Sequence, residues 1–133
     1  MITVHKASDG KLKQLINADS VEFFSDVAVD SGGEGENPDP HALLDAALGA
    51  CTALTITMVA RRKQMPLDDV WVQITHREEG GVYYLQRQIE LIGKLTAEQR
   101  EYLMGIANRC PIHKVLSGRI EMASELVTPV SSS

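Results

Sequence analysis

Asp39-Pro40-His41-Ala42-Leu43-Leu44-Asp45-Ala46-Ala47-Leu48-Gly49-Ala50-Cys51-Thr52-Ala53 opens the longest apolar segment of the chain, which continues to Arg61-Arg62-Lys63. Asp39 is suited to cap free backbone N–H groups, and Pro40 fits the first helical position, where its missing N–H costs nothing. Leu44, Leu48, Cys51, Thr55 and Met58 recur at steps of three and four, while Leu43, Ala47, Leu54 and Val59 widen the apolar face almost all round. This spacing predicts a helix from Pro40 to about Lys63, buried in the core. The basic residues at its end complement the negative pole of the helix dipole before Pro66. The uncharged run 46–60 falls short of the roughly 18 apolar residues of a bilayer span.

Upstream, Ile2–Ala7 and Leu12–Ala18 read as strands joined at Asp9-Gly10, a tight-turn dipeptide, and a third strand follows at Val21–Ser25. Ser31-Gly32-Gly33-Glu34-Gly35-Glu36-Asn37-Pro38 is an acidic loop. Downstream, Val70–Arg77 and Val82–Ile92 flank Glu78-Glu79-Gly80-Gly81 and form a second hairpin, with Tyr83, Leu85, Ile89 and Leu91 on one face. Thr96 and Gln99 have the spacing of a capping box and start a second helix, whose Leu103, Ile106, Ala107 and Cys110 line one stripe. Pro111 either ends that helix or begins a short one through Leu116, closed by Gly118. A last strand is expected near Ile120–Val127, with a frayed tail over 128–133. Strands and helices do not alternate as in a doubly wound fold, so the class is α+β, and 133 residues fit one domain, 1–133.

With 44% hydrophobic and 23% charged residues the chain is globular in composition. A net charge of −5 argues against nucleic acid as a partner, because a phosphate backbone needs clustered Lys and Arg. No membrane partner is expected either. No N-terminal segment combines a basic start, an apolar stretch and a small-residue cleavage site, so a cytoplasmic address is expected.

The chain has two cysteines, Cys51 and Cys110. In a reducing compartment they are inert buried thiols, metal ligands or redox groups. Small and hydroxyl-bearing neighbours (Ala47, Thr52, Thr55) leave room beside Cys51. If a helix starts at Pro111, Cys110 sits at its positive end, near Arg109, His113 and Lys114, which favours a thiolate. No Cys-x-x-Cys pair exists, which excludes a thioredoxin-like site. A metal site would have to combine Cys110 and His113 with Cys51 or His41, and a single Cys-x-x-His is a weak signal. No cofactor and no metal are expected.

The run Pro40–Ala53 resembles the first cysteine helix of the OsmC/Ohr family, the osmotically induced and organic hydroperoxide resistance proteins. Arg109-Cys110-Pro111-Ile112-His113-Lys114-Val115-Leu116 resembles the family's second cysteine segment, and the two stand in the family's order. The resemblance implies antiparallel sheets wrapped around two long central helices in an intertwined homodimer, with each site at the subunit interface. It implies a thiol peroxidase that protects against oxidative stress. Cys51 attacks an organic hydroperoxide, Cys110 resolves the sulfenic acid as a disulfide, and a dithiol of the lipoyl type restores the thiols. The chain departs from the family where a glutamate is usual, having His41 and Ala42, and where an N-terminal arginine is usual, having only Lys6, Lys11 and Lys13. Glu34, Glu36, Asp39 or Asp45 could supply the carboxylate, and Arg62, Arg87 or Arg109 the cation. The departures leave an alternative, an OsmC-like protein that binds a small ligand or senses oxidation without catalysis.

Overall fold

The computed structural model describes residues 1–128. Three strands, β1 (Ile2–Lys6), β2 (Gln14–Ala18) and β3 (Val21–Ser25), form an antiparallel sheet in that order. After a short 3-10 turn at Val29–Ser31 the long helix α1 (Pro40–Arg62) leads into a hairpin of β4 (Leu67–Glu79) and β5 (Val82–Gly93). Helices α2 (Ala97–Ala107) and α3 (Pro111–Ser117) follow. The fold is α+β, as the lack of regular strand–helix alternation predicts.

Local chemistry sets most boundaries. Asp39 accepts the Ala42 N–H at 2.8 Å with Pro40 at the start of α1, and Lys63 caps the other end. Thr96 and Gln99 form a complete capping box on α2. Gly80 and Gly81, at φ +59° and +79°, make a two-residue turn that lets β4 and β5 pair from Glu79↔Val82 down to Leu67↔Gly93, farther than the sequence indicates. The β1–β2 connection is wider than the tight turn expected at Asp9-Gly10. Pairing stops at Lys6↔Gln14, and the loop is held by its own Lys13–Asp9 ion pair and by the Lys11 N–H donating to Glu34.

The core lies between the C-terminal half of α1, the base of the hairpin and α2. Ile56, Ala60, Leu91, Leu103, Ile106 and Ala107 form it, with Val59, Met65, Val70 and Ile89 packed around. Gly49 faces β4, where a Cβ would meet the Ile74 side chain at an ordinary van der Waals distance of 3.4 Å. Of the stripe predicted for α2, Leu103, Ile106 and Ala107 are buried on that helix, whereas Cys110, also buried, lies beyond its end.

Two expectations are corrected. The buried face of α1 is Leu48, Thr52, Ile56 and Ala60, whereas Leu54 and Met58 are 61% and 59% exposed. One chain supplies only the hairpin, α2 and α3 as cover, enough for one stripe of a helix that is apolar nearly all round. By length and composition α1 is apolar enough to cross a membrane, but its packing on β4, α2 and α3 makes it the central helix of the fold. Residues 120–127 form no strand, and Ile120, Met122 and Leu126 are exposed. Alternating apolar residues suit a strand face, but a strand also needs an edge to pair with, and among the described residues no strand pairs with that segment. Of the tail expected to fray, 129–133 lie outside the described residues.

Candidate active site

Cys51 lies midway along α1, half-buried, one residue before the fully buried Thr52. Cys110 is fully buried and is the N-cap of α3, where its sulfur accepts the His113 N–H at 3.4 Å. Of the two readings left open for Pro111, the structure takes the second: α2 ends at Ala107, and Pro111 is the first residue of a new short helix.

This arrangement brings the two cysteines together. Burial pushes the Cys51 thiol up, but hydrogen bonds from the Cys110 thiol, the Ile112 backbone N–H and the Thr55 hydroxyl outweigh it and hold Cys51 below the ordinary thiol range. Thr55, one turn along α1, places its Oγ1 4.0 Å from Cys51 Sγ. Both thiols are free. The site thus offers a stabilised, partly accessible sulfur with a second, enclosed sulfur facing it.

Arg87 reaches this region from β5. One of its terminal nitrogens donates to Thr52 Oγ1 and to the Ala107 carbonyl, both at 2.9 Å, and the other donates to Asn108 Oδ1 at 2.9 Å. Arg87 occupies the inward face of β5 with Tyr83, Leu85, Ile89 and Leu91. A charge on an otherwise apolar strand face was the signal in the sequence that singles it out from Arg62 and Arg109. Arg109 lines a shallow surface depression with Glu98 and Tyr102. A cavity of about 400 Å³ opens between Leu48, Tyr83, Leu85, Arg87, His113 and Leu116, with neither cysteine in its lining. A larger depression, about 760 Å³, lies along Trp71–Gln73 and Gln88–Glu90 and contains no nucleophile.

None of the four carboxylate candidates bonds to Cys51. Asp39 caps α1, and Glu34 accepts the Lys11 N–H. Asp45 accepts the Tyr83 hydroxyl at 3.0 Å and pairs with His76 Nδ1. The rings of His41, His76 and Tyr83 stack with centroids 5.1 to 5.7 Å apart. This polar cluster stands where the N-terminal turns of α1 meet the tip of the hairpin, and no sequence spacing announced it. It leaves Tyr83 hard to ionise: burial first, then the hydrogen bond to Asp45, push its hydroxyl up to about 12. Among the described residues no three His, Cys, Asp or Glu side chains converge as metal ligands.

Comparison with known proteins agrees with this architecture. The OsmC-like protein family model matches residues 33–125, a span that includes both cysteines. An OsmC-like protein from Mycoplasma pneumoniae superposes with a TM-score of 0.72 at 21% identity, over 89% of this chain and 86% of that one. An organic hydroperoxide resistance protein OsmC from Legionella pneumophila gives 0.63 at 21% identity, over 89% and 88%. A further organic hydroperoxide resistance protein, from Elizabethkingia anophelis, gives 0.65 at 20% identity, over 90% and 89%. No functionally curated protein matches the sequence. The match over most of the chain and the shared α+β architecture place this protein in the OsmC-like family.

Proposed function

We propose that this chain is a cysteine-based peroxidase that reduces organic hydroperoxides, working as a single OsmC-like domain over 1–133 in a cytoplasmic homodimer. One observation carries the reading: Cys110 and the Ile112 N–H both face the Cys51 sulfur, whose thiol is held below its ordinary range. The thiolate of Cys51 attacks the distal oxygen of the hydroperoxide. The O–O bond breaks, the alkoxide takes a proton and leaves as an alcohol, and Cys51 becomes a sulfenic acid. The Cys110 sulfur then attacks Cys51, forming S–S and releasing water. A dithiol of the lipoyl type exchanges with this disulfide and returns both thiols, being oxidised itself. Two of the structural relatives are named organic hydroperoxide resistance proteins, which supports this substrate class.

The test is consumption of cumene hydroperoxide by the purified protein with dihydrolipoamide. Turnover is expected in the wild type and none in Cys51→Ser, and equal rates in the two would sink the reading. A second reading, a non-catalytic ligand binder or oxidation sensor, draws on the absence of any carboxylate or guanidinium bonded to Cys51 among the described residues. Mass measurement after one equivalent of peroxide separates them: a rapid loss of two hydrogens marks the disulfide, and unchanged thiols favour binding.

A further inference from the structure

The turn that carries Cys110 is short, with Asn108 and Arg109 on the surface between the buried Ala107 and Cys110. Asn108 N–H and Arg109 N–H close back onto Gly105 and Ile106, and the Asn108 and Arg109 side chains are exposed. Besides the bonds of Cys110 and Ile112 to Cys51, a side chain from a third element, Arg87, ties this turn to the helix bearing Cys51. Its guanidinium spans three elements, rooted on β5, bonded to Thr52 next to Cys51 on α1, and bonded to Ala107 and Asn108 immediately before Cys110. The forked planar group is suited to this task, because it holds several acceptors in a fixed geometry that a lysine ammonium does not reproduce. No carboxylate pairs with Arg87 among the described residues, so its three bonds to neutral oxygens are its visible role.

We propose that Arg87 is a positioning residue for disulfide closure: it sets the Cys110 sulfur at the distance and angle from which it attacks oxidised Cys51. The proposal rests on the cysteine-pair reading above, with Arg87 acting through Thr52, Ala107 and Asn108 on the second step rather than on the peroxide. In that step the S–O bond of the Cys51 sulfenic acid breaks as S–S forms, and the hydroxyl leaves with the Cys110 proton as water.

The experiment separates the two steps in wild type, Arg87→Met, Arg87→Lys and Asn108→Ala, with thermal melts of each. Peroxide is mixed with each protein and dimedone traps whatever sulfenic acid persists. In a parallel arm glutathione disulfide replaces peroxide: Cys51 takes one glutathione as a mixed disulfide and releases the other, then Cys110 displaces the bound one. Because reach and angle dominate an intramolecular attack, Arg87→Met is expected to slow closure by about tenfold or more in both arms. Formation of the sulfenic acid or mixed disulfide stays little changed, and Arg87→Lys and Asn108→Ala fall between. A purely structural role would lower the melting temperature without changing the ratio of the two steps. Closure at the wild-type rate, or an equal fall in both steps, overturns the proposal. If Arg87→Met does not fold, Arg87→Lys and Asn108→Ala decide. The glutathione arm uses no peroxide, so it reads the clamp even if the wild type proves to be no peroxidase.

Discussion

Single residues carry chemistry here when a strand or helix aims them at a shared point. Tyr83 shows how its surroundings set a proton affinity. Burial and the Asp45 carboxylate raise its hydroxyl from 10.0 to about 12 in the folded chain. The folded state therefore holds this proton more tightly than the unfolded state, so the stabilisation is complete below pH 10 and is lost as pH rises through 12. Urea midpoints measured at intervals from pH 9 upward should fall across that window in the wild type and fall less in Tyr83→Phe. Parallel profiles for the two proteins would mean that Tyr83 does not report this environment. Cys51 and Cys110 were legible in the sequence as residue types in two motifs, and Arg87 as one of three cations. Their partners were not: that Thr52, Ala107 and Asn108 meet at one guanidinium depends on how β5, α1 and α2 cross, which no local spacing encodes.

Elements were most legible where their ends have a chemical cause. Asp39-Pro40, the Thr96–Gln99 box and Gly80-Gly81 fix the start of α1, the start of α2 and the hairpin turn. Thr96→Ala removes the hydroxyl that accepts the Gln99 N–H, while the backbone N–H of residue 96 can still donate to the Gln99 side chain. A loss of about 1 kcal/mol is expected, read as a drop of about 3 °C in melting temperature. The same variant should leave the Cys51 alkylation rate untouched, since α2 begins far along the chain from Cys110. The elements that misread were those whose state depends on a surface rather than on an end. Residues 120–127 have the alternation of a strand but pair with none of the described strands. Helix α1 has an apolar surface wider than the single stripe that its own chain covers.

At the scale of the whole molecule that uncovered surface matters most. Leu54, Met58 and Leu44 on α1 and Trp71 on β4 are exposed large hydrophobics, and the three-stranded sheet has no extensive packing against the helices. The homodimer of the proposed function gives this apolar area a destination. Light scattering is expected to return twice the 14.6 kDa chain mass, and Leu54→Lys, which puts a charge on the exposed face, should shift it toward the single-chain value. A single-chain mass for the unaltered protein at micromolar concentration would remove the dimer.

Cys110 has no solvent-exposed surface, whereas Cys51 is partly exposed. To a reagent in bulk solvent the native protein is therefore a one-thiol molecule. A maleimide should count one label per folded chain and two after denaturation, so an oxidant arriving from outside has no choice of which sulfur it meets first.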